Sequence, residues 1–457
     1  MSSDYLFIII LIIVLPLFFI LMALPMEKLI NLTVFMTVFD YYKIASILSA
    51  SNILLFIILF KSLLDIARGH NKITIVKVYF PLFLLLGISA LGIATRNTYQ
   101  EVGSTLRHTL TFTSLIALFV TIVSYCSSTK QAVKLFHSIV YASIFVSIIS
   151  VFEFLIWKSF GNNIFEAPEV VIHSLGYLPH LRSSSIVGDP NYLATIAAPS
   201  AIACLVACSN TQAKRRALYF FCSMLCFVAV VLSLSRGGIL VVSLSLIFLI
   251  YRRLFFNRRN FRKVNSKKQI FFVATFLLIG VISVLLLVKL LAGFNPVSYY
   301  ARASIIRGSL ATFLESPIIG HGLGKQAPMR WTEEYLDLAE KAGTAVRTES
   351  TEGDLRETHS TILQVLMGTG LMGLFFYIWF IFNTLRMFMK RNNLNRNRLA
   401  LSIFIGFVVI ILIQLFLSIF LVKFFWIWIA LMWAMIKVES IGFSVGNSRS
   451  AAVYSRA

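Results

Sequence analysis

Charged side chains are scarce in this sequence: Asp, Glu, Lys and Arg make up 13% of its 457 residues, against about 25% in a typical soluble domain. Apolar residues account for 58% of the chain, and the mean hydropathy is +0.85. A water-soluble domain of ordinary size cannot bury that much apolar surface, so a soluble enzyme and a disordered chain are both excluded. The composition predicts a polytopic membrane protein.

Cysteine is also scarce, since the chain has only five, and this excludes a disulfide-stapled secreted domain. Cys204, Cys208, Cys222 and Cys226 form two pairs at helical spacing. Cysteine inside a bilayer is more often a small apolar packing residue than a zinc ligand. No metal site is therefore expected.

Acidic residues are outnumbered by basic ones, 19 to 41, which gives a net charge of +22. Such an excess often indicates a nucleic-acid partner. Here, however, Lys and Arg concentrate in the loops after every second apolar run, most densely between residues 252 and 268. Basic loops stay on the cytoplasmic side of a membrane, so these residues are interpreted as topology signals and no nucleic-acid partner is expected.

Apolar runs of about 20 residues, long enough to cross a membrane, recur about twelve times. The candidate spans lie at 5–24, 45–66, 73–93, 109–126, 132–157, 190–209, 216–233, 237–255, 269–293, 359–385, 399–418 and 420–438. No small-residue cleavage site follows the first run, so it is expected to be a retained helix. The shorter stretch 29–40 is expected to lie at the interface. The predicted fold is an all-α polytopic membrane protein with both termini in the cytoplasm.

The spans and loops divide the chain into five segments. They are the first five helices with the following outer loop (1–180), helices six to nine with arginine-bearing outer turns (181–293), a large outer loop with an amphipathic helix (294–358), helices ten to twelve (359–440) and a cytoplasmic tail (441–457). Functional residues are sought in the outward-facing loops, because the spans themselves carry few charges.

One arginine interrupts the apolar run from Ala217 to Ile250. Arg236 follows Ser235 and precedes two glycines in a hairpin so tight that its side chain cannot easily reach the membrane boundary. An ionisable residue at such a position is costly and indicates a functional role. An interface anchor is the alternative interpretation.

Residues 302–316 of the large outer loop carry apolar side chains at helical spacing, which predicts an amphipathic helix lying against the bundle. Its predicted apolar positions are Ile305, Ile306, Leu310, Phe313 and Leu314. Arg302 falls on that face and Arg307 on its edge. An inward arginine needs an anion, either a buried carboxylate or a phosphate, whose oxygens suit the guanidinium fork. Pro317 ends the helix, and the glycine-rich stretch 320–324 is predicted to be a turn.

Span ten begins with a histidine. At about 100° per residue, His359, Gly370 and Gly373 fall within roughly 60° of one another on one helix face, where the glycines allow close packing. In the first turn, the positive end of the helix dipole favours a neutral imidazole that can accept a proton. A histidine that only caps the helix or packs in the loop is the alternative.

Two further outer segments carry polar residues. Arg182, which precedes Pro190 and Asn191, is a third outward arginine that could reach the same cavity. Between residues 327 and 358, acidic residues outnumber basic ones. This acidic segment is either a solvated face or a source of carboxylates that bind sugar hydroxyls or cover the site.

The order of these features resembles one known family. His359-Ser360 followed by Gly370 and Gly373 is similar to the signature of the O-antigen ligase and polymerase superfamily, in which asparagine is common where Ser360 stands. Three further landmarks are similar as well: Ser235-Arg236-Gly237, Arg302 with Pro317 and the glycine turn, and Arg182 with Pro190-Asn191. The resemblance covers residues 180–385.

The resemblance implies a bacterial inner-membrane glycosyltransferase of GT-C type, with about a dozen helices and a site that faces the periplasm. The donor would be a glycan on undecaprenyl diphosphate. Arg236 and Arg302 would bind the diphosphate leaving group, with Arg182 or Arg307 in support.

The remaining roles also follow from the resemblance. His359 would orient or deprotonate the acceptor hydroxyl, and the anomeric carbon would be inverted. Asn191 and Ser360 would contribute to substrate binding, and Gly370 and Gly373 would be structural. No metal, nucleotide or other cofactor would be required.

The acceptor decides between related activities. Another lipid-linked glycan would make the protein a polysaccharide polymerase, lipid A-core an O-antigen ligase, and a protein side chain an oligosaccharyltransferase. A polymerase is favoured because superfamily members are more often polymerases. A chain-length regulator or a flippase is a further candidate partner. A lipid or solute transporter is the alternative from another class, although transporters usually place ionisable residues at mid-membrane and often show internal repeats.

Overall fold

The structure is a computed structural model, and it describes most of the helical part of the chain. The described residues are 18–40, 49–68, 79–94, 99–161, 171–172, 180–208, 213–255, 296–324, 327–328, 355–356, 358–391 and 397–454. Within them the chain is helical apart from turns and two short antiparallel strand pairs. The pairs are β1 (Val171–Ile172) with β2 (His180–Leu181) and β3 (Ala327–Pro328) with β4 (Leu355–Arg356).

Twelve α-helices lie in the described residues. They are α1 (Met26–Met36), α2 (Ala50–Ala67), α3 (Phe80–Ala94), α4 (Tyr99–Tyr125), α5 (Thr129–Phe160), α6 (Pro190–Cys208), α7 (Ala213–Leu232), α8 (Arg236–Phe255), α9 (Pro296–Glu315), α10 (Thr361–Arg391), α11 (Arg398–Ile413) and α12 (Lys423–Tyr454). Short 3-10 turns follow α1 at Thr37–Phe39 and precede α6 at Ser185–Val187.

Five stretches of the described helices are long and apolar enough to cross a membrane: α2, residues 102–125 of α4, α5, α6 and α10. Shorter apolar helices lie within α3, α7, α8 and α11. The chain is therefore a polytopic membrane protein, as its composition predicts. The count of about twelve spans stays a prediction, because the span expected at 269–293 and most of that at 5–24 lie outside the described residues.

The centre of the bundle is aromatic. Helix α12 is apolar around its whole circumference over residues 424–434 and is buried there, as expected of a helix surrounded by others. The Trp426 ring lies 5.5 Å from that of Phe112 on α4 and stacks at 6.2 Å on that of Phe380 on α10. The α12 helix therefore holds α4 and α10 together.

Each end of the bundle is named here by the residues that it carries. We call the end that contains residues 182–189 and 233–236 the arginine end, and the end with the α4–α5 turn at 126–128 the opposite end. The ammonium of Lys437 on α12 donates to the carbonyls of Val123 and Ser124 at the opposite end, at 2.9 and 2.7 Å. Helix α12 therefore runs from the arginine end to the opposite end.

Helix α1 crosses the bundle, which contradicts the interfacial position expected for 29–40. At the opposite end, Glu27 pairs with Lys134 at 2.5 Å. At the arginine end, Asp40 pairs with Lys423, the first residue of α12, at 3.0 Å. The expectation failed because we required about 20 apolar residues for a membrane-spanning helix. Helix α1 is shorter than that, and the charged residues at its two ends are paired within the protein.

Helix α10 is broken at Gly370, so the continuous face predicted for His359, Gly370 and Gly373 is wrong. Gly370 has φ 65° and ψ −166°, a conformation that is open almost only to glycine. In a straight helix Thr361 and Tyr377 would lie about 24 Å apart. Both instead hydrogen-bond to Gln414, so the break brings the two parts of α10 closer together than a straight helix would.

The turn after α9 fills this break with its backbone. The N–H groups of His321 and Gly322 donate to the carbonyls of Met367 and Gly368 at 3.0 and 2.6 Å, and the N–H of Leu371 donates to the carbonyl of Pro317 at 2.9 Å. The predicted glycine turn is therefore confirmed. It also completes the hydrogen bonding of a helix that would otherwise have unpaired groups in the bundle.

Replacing Gly370 by alanine should destabilise the protein. The added Cβ would need a strained positive φ and would meet the Ile318 carbonyl, so we expect a loss of about 3 kcal/mol or more and a lower thermal midpoint in detergent. Gly87→Ala is the control, because its Cβ would meet nothing within 4 Å on α3. Equal midpoints for the two variants would contradict the assigned break.

Candidate functional site

Arg182 is held at the arginine end by two neighbouring segments. Its Nε donates to the Ser233 carbonyl at 3.3 Å, and its Nη2 donates to the Asn191 side-chain oxygen at 3.4 Å. The backbone next to it is fixed too, because the N–H of Ser183 donates to the Leu232 carbonyl at 3.0 Å. The guanidinium therefore lies beside the α7–α8 hairpin.

Asn191 connects Arg182 to the hairpin that carries Arg236. The Ser235 hydroxyl donates to the same Asn191 oxygen at 3.0 Å. The hairpin is as tight as the sequence predicts: Leu234 has φ 47°, and Arg236 is the first residue of α8. Asn191 therefore links Arg182 to Ser235, the residue directly before Arg236.

Arg302 on α9 completes a cluster of three arginines. Burial lowers the pKa of Arg302, and the positive charges of Arg236 and Arg182 lower it further. Arg236 and Arg182 therefore lie close enough to Arg302 for their charges to act on it, and we call Arg182, Arg236 and Arg302 the arginine cluster. Neither Arg236 nor Arg302 forms an ion pair with any other residue that the structure describes.

Arg307 lies on the other side of α9 from the cluster. Its side chain is exposed, whereas that of Arg302 is half-buried. The predicted apolar face of this helix is also wrong in part, because Ile306 and Leu314 are 43% and 71% exposed while Ile305 is buried. The buried face instead carries small and polar residues: Ser304, Gly308, Ser309 and Thr312. In a membrane protein the apolar stripe can face lipid, so hydrophobic spacing alone did not identify the inner face.

His359 lies two residues before α10 begins, rather than in its first turn, and is exposed with φ 48°. The start of α10 is fixed to the α11–α12 turn, because the Thr361 hydroxyl donates to the Leu417 carbonyl at 2.9 Å. The same turn contacts the arginine hairpin, since a Cβ at Gly237 would come 2.8 Å from Phe416. The segments that carry His359 and Arg236 therefore pack against one short turn.

One buried acid of the site escaped the sequence analysis. Glu153 on α5 is fully buried and accepts hydrogen bonds from residues 183–185, next to Arg182. A single acid within an apolar run was the signal that could have found it. The acidic segment lies outside the described residues, apart from Ala327–Pro328, Leu355–Arg356 and Thr358.

The arrangement can hold an anion. Guanidinium groups that converge in a partly buried place repel one another more strongly than in water, and an anion among them removes that repulsion. The fixed donors of arginine suit the oxygens of a phosphate or diphosphate. The geometry defines a membrane protein with a group of arginines, chemically suited to an anion, at one end of its helical bundle.

The comparison with protein families agrees with this arrangement. Residues 221–378 match the family model described as O-antigen ligase. The chain therefore carries a domain of the O-antigen ligase family, which confirms the resemblance to the O-antigen ligase and polymerase superfamily. The match includes Arg236, Arg302 and His359, whereas Arg182 and Asn191 lie before it. No curated protein matches the chain.

The arginine cluster predicts binding of inorganic pyrophosphate to the detergent-solubilised protein. Arg302→Ala should weaken this binding about ten- to hundredfold, because a hydrogen bond to a charged group contributes about 1.5–3 kcal/mol. Arg307→Ala should change it by less than about twofold, as expected of an exposed charge. Titration calorimetry at low salt measures both, and a larger loss in the Arg307 variant would contradict the assignment.

Proposed function

We propose that the protein is a membrane glycosyltransferase that transfers a glycan from undecaprenyl diphosphate to an acceptor hydroxyl. The proposal depends above all on the arginine cluster, in which Arg182 is hydrogen-bonded to the hairpin of Arg236 and both charges act on Arg302. Arg236 and Arg302 lie within a domain of the O-antigen ligase family. A lipid diphosphate is the anion that suits such a cluster in a chain embedded in a bilayer.

In this proposal the arginine cluster stabilises the leaving group. As the bond from the anomeric carbon to the diphosphate breaks, negative charge grows on the diphosphate oxygens. Fixed guanidinium groups in a partly buried site stabilise that charge more than water does, because they are already oriented when the charge develops. Arg302 and Arg236 bind the diphosphate, and Asn191 keeps Arg182 directed at it.

His359 is proposed to act on the acceptor. Its segment is anchored to the α11–α12 turn that also contacts the Arg236 hairpin, and its exposed side chain is available to an acceptor. A neutral imidazole accepts the hydroxyl proton as the oxygen attacks the anomeric carbon, and the configuration inverts. Ser360 contributes to substrate binding, and the residues named supply this chemistry without a metal.

The site is proposed to face the periplasm from the bacterial inner membrane. The support is the distribution of basic residues, which predicts that the loops at the opposite end of the bundle are cytoplasmic. Arg68, Lys130 and Arg216 all lie at that opposite end. The arginine end is then on the side where a flipped lipid-linked glycan would be presented.

We infer that the acceptor is a second lipid-linked glycan, so that the protein is a polysaccharide polymerase. The support is the prevalence of polymerases in the superfamily. An O-antigen ligase, which uses lipid A-core as acceptor, is the second candidate because the matching family model carries that description. A chain-length regulator or a flippase is proposed as a partner of the polymerase.

A transfer assay with purified protein distinguishes these activities. We expect longer lipid-linked chains from the donor alone, and a loss of about 10²–10⁴ in rate for His359→Ala, the range for removing a general base. His137→Ala is the matched control, because this histidine bonds to Tyr219 at the opposite end. Product only when lipid A-core is added would establish a ligase, and equal rates in both variants would exclude a catalytic His359.

Cysteine labelling in intact spheroplasts tests the orientation of the site. In a background without the five native cysteines, Leu234→Cys at the arginine end should react with a membrane-impermeant maleimide, since Leu234 is exposed. Lys130→Cys at the opposite end, where the residue is also exposed, should react only after the membrane is opened. The reverse pattern would place the arginine cluster in the cytoplasm and overturn the periplasmic assignment.

A further inference from the structure

Glu153 is buried within the bundle, where a lone carboxylate is expensive. It lies near the arginine end of α5 and is 0% exposed. A buried charge persists only where hydrogen bonds or an opposite charge compensate its lost hydration. The groups that compensate Glu153 therefore indicate what it holds in place.

All four hydrogen bonds that we describe for Glu153 come from the loop that follows Arg182. Its Oε2 accepts from the Ser183 hydroxyl at 2.5 Å and from the N–H groups of Ser184 and Ser185 at 3.1 and 2.8 Å. Its Oε1 accepts from the Ser184 hydroxyl at 3.5 Å. Two successive N–H groups aimed at one oxygen form a small anion-binding concavity, and here the anion belongs to the protein itself.

The loop needs this support because its backbone is irregular. Ser185 has φ 52°, which a residue other than glycine adopts only when its surroundings hold it there. The loop is also attached on its other side, through the Ser183 N–H to the Leu232 carbonyl. The residue directly before this doubly attached loop is Arg182.

We propose that Glu153 is a positioning residue, which fixes the loop 183–185 and thereby holds Arg182 in the arginine cluster, where it binds the diphosphate of the donor. This inference rests on the proposed function for the identity of the anion. Glu153 itself does not touch the substrate; it acts through Arg182.

The proposal predicts that the effects of Glu153 and Arg182 are not additive. Glu153→Gln keeps the side-chain shape and one acceptor oxygen but removes the charge that orients the loop. We expect it to weaken pyrophosphate binding at least tenfold, and to raise KM for the lipid donor more than it lowers kcat. In an Arg182→Ala background the same substitution should change either quantity less than twofold.

Two further variants, one in the loop and one control elsewhere on α5, test the same role of Glu153. Ser183→Ala removes one donor to Glu153 and leaves the carboxylate compensated by two N–H groups, so it should show a smaller effect that also disappears in the Arg182→Ala background. Ser143→Ala is the control, because this buried residue of α5 bonds to Ser200 on α6 at 2.7 Å, away from the loop. It should leave binding and transfer unchanged.

The outcomes separate the two proposals. Wild-type protein that binds pyrophosphate but transfers no glycan would overturn the proposed function, while the binding data would still decide the role of Glu153. Unchanged binding in a folded Glu153→Gln or Ser183→Ala variant would overturn the positioning role. Equal losses in the wild-type and Arg182→Ala backgrounds would overturn it as well, because they would show that Glu153 acts independently of Arg182. Absence of any pyrophosphate binding to the wild type would overturn both proposals.

Discussion

The repulsion that Arg236 and Arg182 exert on the half-buried Arg302 is the constraint on which the arginine end of the bundle depends. The three arginines come from three separate segments of the chain. Such an arrangement is unfavourable by itself. The fold maintains it with rigid attachments: Asn191 between two segments, a hairpin with Leu234 at positive φ, and a buried carboxylate behind the Arg182 loop.

Much of the fold and of the site could be predicted from the sequence. Apolar length located most of the described helices, and the break in one apolar run located the Arg236 hairpin. Helical spacing distinguished Arg302 from Arg307, and the structure leaves Arg302 half-buried and Arg307 exposed. These inferences succeeded because each rests on local properties: the length of an apolar run, the charge of one side chain in it, or the angle between neighbours on one helix.

The errors arose where distant segments decide local structure. The break in α10 depends on hydrogen bonds to the turn at 317–322, which lies about 50 residues earlier in the chain. The sequence around Gly370 therefore does not by itself predict the break. The crossing of α1 depends on ion pairs with α5 and α12. The inner face of α9 was assigned wrongly from its apolar residues, because in a bilayer an apolar face can contact lipid as well as protein. Glu153 was overlooked because a single acid in an apolar run shows neither its partners nor its burial.

The turn that fills the break in α10 has a consequence for how the site tolerates change. It joins the helix of Arg302 to the helix that follows His359 through main-chain hydrogen bonds, which do not depend on side-chain identity. Side chains along α9 can therefore be exchanged while the distance between the Arg302 helix and the His359 segment stays constant. A change in the number of residues between Ser316 and Gly322 would instead shift every one of these pairings, so the length of this segment fixes the spacing between the two halves of the site.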